Sequence, residues 1–280
     1  GVGALNDNTT ASYNTAVGHT ALYANTTGGA NTALGSLALD ANTTADGNTA
    51  IGANAASGTT TGNSNTAVGQ NALYANTTGT MNAVLGNHAL DANISGSYNV
   101  ALGGYSLSAN TTASNNTAVG YGALTINTTG TLNTGMGRSA LELNTTGDNN
   151  SAYGHNALVN NTTADNNTAV GKSALGANTT GAENVAVGTY ALDANTTPSN
   201  MTAVGYAALS SNTTGTSNVA VGSHSLAATT TGGSNTAVGK EALQSNTTAD
   251  NNTAVGRSAL KLNTTGYSNS AIGANSLDAN

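Results

Sequence analysis

Several residue types are absent or scarce in this 280-residue chain. It has no cysteine, phenylalanine or tryptophan, only one proline, and only five lysine and arginine residues together. The lack of cysteine excludes disulfides and thiolate metal sites, and the lack of clustered cations disfavours nucleic-acid binding. No apolar run in the sequence approaches the ~18–20 residues of a membrane-spanning helix, so we expect no membrane span in this segment.

The chain consists of one 17-residue phrase, N-T-A-V-G-x-x-A-L-x-A-N-T-T-G-x-x, repeated from end to end without an insertion or deletion. We number its positions 1 to 17 from the first asparagine, so that Asn14 is position 1 and Gly18 is position 5. Because no linker or compositional shift interrupts the phase, the sequence predicts a single uninterrupted array over residues 1–280. Since it starts and stops within a repeat, we expect it to be part of a longer chain.

A repeat that never slips is typical of a solenoid, in which each unit stacks on its neighbour. Positions 2 and 4 are mostly β-formers two residues apart, which is the period of a strand. The alternative is a helical turn at A-L-x-A, but glycine, asparagine and threonine recur too often for a long helix. We therefore predict an all-β protein, a parallel β-solenoid (β-roll or β-helix) of about sixteen 17-residue coils and roughly 80 Å in length.

Two columns of larger apolar residues run through the repeats and are expected to face the core. Position 4 is always a larger apolar residue, as in Val17, Val68, Val170 and Val255. Position 9 is leucine in all copies but one, as in Leu22, Leu73, Leu175 and Leu260, and we expect positions 9 and 11 to share a face of a second short strand. The invariant position-5 glycine separates the two strands, where a positive φ or a close backbone approach excludes a Cβ; examples are Gly18, Gly69, Gly171 and Gly256.

Positions 3 and 8 stay small, with Val84 the largest residue at either, although alternation should turn them away from the core. Position 6, by contrast, varies freely from histidine to lysine. A steric limit therefore acts at positions 3 and 8, imposed either by tight turns within the coil or by a second chain. We predict the second, an oligomer interface that includes Ala16, Ala21, Ala169 and Ala174.

A family resemblance is carried by stretches such as NTAVGKSAL, from Asn167 to Leu175. It resembles the head repeat of trimeric autotransporter adhesins of the YadA type, N-S-x-A-I-G-x-x-A/S, and is similar to arrays in long bacterial and phage fibre proteins. The resemblance extends over all 280 residues. It implies a left-handed parallel β-roll, a trimer and a role in adhesion or fibre construction at the bacterial surface. The present coil is longer by the N-T-T-G corner, for example at 178–181.

Three other features of the repeat have competing explanations. Positions 12–14 form glycosylation sequons, which equally fit an asparagine ladder closing a corner; we favour the ladder at Asn25, Asn76, Asn178 and Asn263. Adjacent threonines point to opposite sides and disfavour an ice-binding T-x-T array. Aspartates at position 16 fit turn chemistry better than a regular calcium solenoid, because only some coils carry them; they are Asp46, Asp148, Asp165 and Asp250.

Function follows from the array as a whole, since catalysis has little support. The histidines and several tyrosines are scattered along a variable ridge, and we expect no carboxylate beside a histidine in the same repeat. We predict no enzyme, no cofactor and no metal. We expect a non-enzymatic extracellular or cell-surface structural fibre or filament that self-associates as a homo-oligomer, either a trimer or a filament. The alternative is a bacterial or phage adhesin or receptor-binding stalk, whose ridge at positions 6, 7 and 10 recognises a cell surface or glycan.

Overall fold

The computed structural model describes residues 1–278. The protein is all-β: sixteen parallel strands of three residues recur 17 residues apart in a β-solenoid, and the described residues contain no helix. The predicted fold class is confirmed. Each repeat contributes one strand, at positions 2–4. The second short strand expected around positions 9 and 11 is not formed in the described repeats, because that stretch is a series of turns.

The chain forms two compact units, Gly1–Ser139 and Ala140–Asn280, the second described as far as residue 278. Within each unit, consecutive strands pair in parallel and in register, so that each position meets the same position of the next repeat. The first unit holds β1 to β8, which are Thr15–Val17, Thr32–Leu34, Thr49–Ile51, Thr66–Val68, Ala83–Leu85, Val100–Leu102, Thr117–Val119 and Thr134–Met136. The second holds β9 to β16, which are Ser151–Tyr153, Thr168–Val170, Val185–Val187, Thr202–Val204, Val219–Val221, Thr236–Val238, Thr253–Val255 and Ser270–Ile272.

The strands bury position 3 and expose position 4, the reverse of the prediction. Val17 is 54% exposed and Val170 is 38% exposed, while Val68 and Val255 are half-buried. The assignment of these four valines to the core is therefore wrong. The leucines of position 9 do fill the interior, and Leu22, Leu73, Leu175 and Leu260 are fully buried.

The interior is narrow, and this explains why positions 3 and 8 stay small. Ala21, Ala169 and Ala174 are fully buried beneath their own coil, and Ala16 is partly buried in the first strand. The steric limit therefore acts within the chain, and the predicted oligomer interface through these four alanines is wrong. Position 4 is thus apolar although it lies on the outward side of the strand.

Three residues of each repeat adopt the left-handed conformation, at positions 7, 9 and 17. The buried leucines of position 9 all do so; Leu175, for example, has a φ of 52°. This conformation costs a leucine about 1–2 kcal/mol, whereas burying its side chain contributes about 1.5–3 kcal/mol. Burial therefore offsets the strain and lets the chain turn tightly enough to close a 17-residue coil.

The position-5 glycines have both features that the sequence predicts, a positive φ and a close approach of the next coil. Gly18, Gly69, Gly171 and Gly256 have φ values of 145°, 135°, 131° and 135°. A Cβ placed on Gly171 would lie 2.7 Å from the carbonyl oxygen of Gly188 in the next repeat, a separation that no side chain tolerates. The column thus requires glycine for its backbone angle and for the approach of the next coil.

Buried asparagines form a ladder along the corner at positions 12 to 15. Asn178 donates from Nδ2 to Oδ1 of Asn161 at 2.9 Å and to the carbonyl oxygen of Gly181 at 2.9 Å. The position-1 residue Asn167 donates to the same Gly181 oxygen at 2.9 Å, so both lone pairs of that carbonyl are used. The ladder prediction is confirmed. Asn25, Asn76, Asn178 and Asn263 are at most 1% exposed, so these sequons are not glycan acceptors in the folded chain.

Candidate functional surfaces

The first candidate surface is the outward side of the strands, which we call the apolar face and define as positions 2 and 4 of each repeat. No position-2 or position-4 residue is charged. The exposed members at position 4 include Val17, Leu34, Ile51, Leu85, Leu102 and Met136 in the first unit, and Tyr153, Val170, Val238 and Ile272 in the second. In-register pairing places them in columns with a spacing of about 4.8 Å.

The apolar face aligns exposed apolar side chains of successive strands in one column at position 4. Eight strands about 4.8 Å apart, each presenting two side chains, span an area of about 400 Å² in each unit, in which the position-4 column is apolar and the position-2 column is mainly threonine. Contiguous apolar patches beyond a few hundred Å² are rare on monomers and usually mark an interaction site. The uncharged, exposed apolar column therefore makes this face a candidate contact surface.

The second candidate surface is the polar ridge, defined as positions 6, 7 and 10. In the first unit, Asn54 donates from Nδ2 to Oδ1 of Asn71 at 2.9 Å. Nδ2 of Asn71 lies 3.2 Å from Nε2 of His88, and Nδ1 of His88 lies 2.8 Å from Oδ2 of Asp91. Because an amide nitrogen only donates, Nε2 accepts and the proton sits on Nδ1. The expectation that no carboxylate lies beside a histidine in its own repeat is wrong here, since Asp91 follows His88 by three residues.

Aromatic rings that are far apart in the sequence meet on this ridge. His88 stacks on Tyr105 with ring centroids 5.4 Å apart and planes 4° apart, and Tyr105 meets the edge of Tyr121 at 5.9 Å. The second unit has a similar cluster: Tyr206 contacts Tyr190 at 6.3 Å and His224 at 5.2 Å. The repeat brings these rings together because positions 6 and 7 recur on successive coils.

A cleft of about 400 Å³ opens on the ridge of the first unit, between the position-7 and position-10 columns. Its lining residues are Asn54, Asn71, Tyr74, His88 and Asp91. It therefore combines the hydrogen-bonded chain of polar groups with the exposed ring of Tyr74.

Two other position-10 carboxylates show what happens without a histidine partner. Asp40 and Asp193 lie three residues after Leu37 and Tyr190, which take the place that His88 has before Asp91. Neither leucine nor tyrosine has a side-chain nitrogen that could donate to the carboxylate. In both, Oδ1 is buried without a hydrogen-bond partner, and burial raises the carboxyl pKa above its ordinary value. His88 thus supplies Asp91 with a donor that its counterparts lack.

The position-16 aspartates have a structural role at the corner. Oδ1 of Asp46 accepts from the backbone N–H of Gly29 at 2.6 Å, and Oδ1 of Asp250 accepts from that of Gly233 at 2.7 Å. Asp165 accepts in the same way from Asp148 at 2.7 Å. The turn-chemistry explanation accounts for these contacts, and within residues 1–278 no three histidine or acidic side chains gather as a metal site.

The second unit also carries an ion-pair group, in which Glu241 and Lys261 are half-buried and Lys240 is exposed. Oε2 of Glu241 lies 2.7 Å from Nζ of Lys261, and Oε1 lies 3.3 Å from Nζ of Lys240. The hydrogen bond from Lys261, followed by that from Lys240, lowers the pKa of Glu241 to about 2. At neutral pH Glu241 is therefore ionised, and the three side chains together carry one net positive charge.

None of the described residues belongs to a helix with the length and apolarity needed to cross a bilayer. The resemblance to YadA-type head repeats stays a prediction. Comparison of the chain with protein-family models, with curated proteins and with solved structures gives no match.

Proposed function

We propose that this chain is a non-enzymatic structural module of an extracellular or cell-surface fibre, whose copies associate through the apolar face. The supporting observation is the outward row of valine, leucine, isoleucine and methionine on a strand face without a charge. Covering two such faces of eight repeats removes about 800 Å² from water, and the apolar position-4 side chains within that area supply the favourable contribution to association.

A second copy of the same chain fits this face better than an unrelated partner. Its side chains recur at the same spacing, so two faces that match at one repeat also match at the next. A partner with another period loses register after a few coils. Most soluble oligomers consist of identical subunits.

Paired lysine substitutions test the proposal. Leu34→Lys with Ile51→Lys places two charges on the apolar face, whereas Ser36→Lys with Ala53→Lys places the same charges at exposed position-6 sites of the same two repeats. We expect analytical ultracentrifugation to show an oligomer for the wild type and for the second pair, and a monomer for the first pair. A monomeric wild type, or an unchanged mass for the first pair, would refute self-association through this face.

The second candidate function is a surface-binding stalk, favoured by the cleft and the ring clusters of the polar ridge. In that function the fibre displays the ridge to a cell surface or glycan. We expect saturable binding to cells or glycans that is lost when tyrosine or histidine residues of the ridge are replaced. A pure spacer would show no such binding.

A further inference from the structure

We infer that the cleft lined by Asn54, Asn71, Tyr74, His88 and Asp91 is a binding site for one neutral saccharide unit. This inference deepens the second candidate function and does not depend on self-association. It is supported by three properties of the cleft: fixed polar groups, an exposed aromatic ring and the absence of a cation among its lining residues.

The polar groups are held in one direction by their own hydrogen bonds. The chain from Asn54 through Asn71 and His88 ends on Oδ2 of Asp91, and stacking on Tyr105 fixes the plane of the His88 ring. Within the described chain, Oδ1 of Asp91 and the hydroxyl of Tyr74 have no hydrogen-bond partner. A carboxylate oxygen accepts from two neighbouring hydroxyl groups, which is the pattern that a sugar ring presents.

The apolar part of the site is the ring of Tyr74, which is exposed beside the carboxylate. One face of a pyranose carries mainly C–H groups, and these pack on an aromatic ring while the hydroxyls point to polar side chains. Ligand sites generally combine an apolar wall with a few placed polar groups in 300–1,000 Å³. The cleft of about 400 Å³ has this composition and holds a single ring.

Charge narrows the class of ligand. The lining residues include a carboxylate and no lysine or arginine, so the charge of Asp91 would repel an acidic sugar or a phosphate and no cation would offset that repulsion. A metal ion is disfavoured because the carboxylate is already bound to His88 and no further acidic or histidine side chain joins the pair. A neutral sugar satisfies the remaining acceptor without adding charge.

A purely structural role for His88 gives a different expectation. In that case the histidine only supplies the donor that Asp40 and Asp193 lack, and removing Asp91 would change stability but no binding. The test must therefore report ligand contact rather than folding alone.

The experiment is an NMR titration of the full chain with ¹³C-labelled histidine, the His88 signal being assigned with His88→Gln. The probes are glucose, galactose, mannose and their N-acetylated amino sugars, added to about 50 mM, since a single ring in an open cleft binds in the millimolar range. We expect at least one probe to shift the His88 signal saturably. Tyr74→Ala and Asp91→Asn should each weaken that binding about tenfold or more.

Matched controls are available in other repeats. Tyr23→Ala removes an exposed tyrosine from position 10, and Asp193→Asn changes a carboxylate at position 10 of the second unit; both should bind as the wild type does. Circular dichroism verifies that every variant is folded. No shift with any probe, or equal binding by the Tyr74→Ala and Tyr23→Ala variants, would overturn the inference, whereas ultracentrifugation tests self-association separately.

Discussion

Replacing Thr229 with asparagine should stabilise the protein, because it repairs a break in the asparagine ladder. Position 12 is asparagine in most repeats, and its Nδ2 donates to Oδ1 of the asparagine one repeat before, as Asn161 and Asn178 do. Thr229 instead donates its hydroxyl to the carbonyl oxygen of Asn246 at 3.0 Å. The buried Oδ1 of Asn212 is consequently left without a partner.

The size of the gain follows from the orphaned oxygen. A buried polar atom without a partner costs about 1–3 kcal/mol, and a typical hydrogen bond contributes about 1 kcal/mol net. Asparagine at position 229 would donate to Asn212 and to the carbonyl oxygen of Gly232, as Asn178 does to Asn161 and Gly181. Ordering the longer side chain offsets part of this, so we expect a net gain of about 1–2 kcal/mol.

Guanidinium unfolding combined with amide hydrogen exchange measures this gain. Exchange is needed because a repeat array can unfold in steps, and it reports the repeats around residue 229 directly. The control is Thr231→Asn, the same replacement at an exposed site two residues later. If Thr229→Asn is no more stable than the control, the orphaned oxygen of Asn212 is not a defect and the ladder energetics are wrong.

Three further predictions concern the glycine column and the charged groups. Gly171→Ala should lower the free energy of unfolding by about 3–5 kcal/mol, because alanine disfavours this backbone angle and its Cβ would clash with the Gly188 carbonyl. An unchanged thermal unfolding curve would contradict the stacked column of glycines. Asp193 has a raised carboxyl pKa, so its ionisation destabilises the fold as pH rises through that pKa. Asp193→Asn should therefore raise the free energy of unfolding by up to about 1 kcal/mol near pH 7, since solvent screens this partly exposed group, and should not change it below the ordinary pKa of 3.8. Unfolding measured at both pH values checks this, and an equal effect at both would count against burial of the charge. Lys261→Gln should raise the pKa of Glu241 from about 2 toward its ordinary 4.5 in an NMR titration, and no change would mean that Lys261 is not its main partner.

The repeat predicts much of the fold because strict periodicity limits the possible structures. The parallel solenoid, the leucine column, the glycine corner and the asparagine ladder each correspond to a position that barely varies. The orientation of the strand is harder to predict, since alternation shows that positions 2 and 4 share a face but not whether that face lies inside. Size variation is the better indicator: position 4 ranges from Val17 to Met136 and Tyr153, which a narrow interior would not accept.

The cleft is harder still to predict from the sequence. His88 and Asp91 lie three residues apart, but their meeting depends on the left-handed turns at positions 7 and 9. Asparagine and serine at positions 7 and 17 hint at such turns, because short polar side chains tolerate the left-handed region. Leucine at position 9 gives no such signal, since its conformation is determined by burial.

Cysteine labelling of two adjacent residues tests the central claim that position 3 lies inside and position 4 outside. The chain has no cysteine, so Val84→Cys and Leu85→Cys in β5 each introduce a single thiol, and neither enlarges the side chain. Val84 is 1% exposed and Leu85 is 54% exposed. Both cysteines are introduced into the Leu34→Lys and Ile51→Lys variant, so that no partner chain covers the apolar face. We predict that the thiol at 85 reacts almost as fast as in the unfolded chain, and that the thiol at 84 reacts about a hundredfold or more slowly. Fast reaction at 84 with protection at 85 would contradict the account.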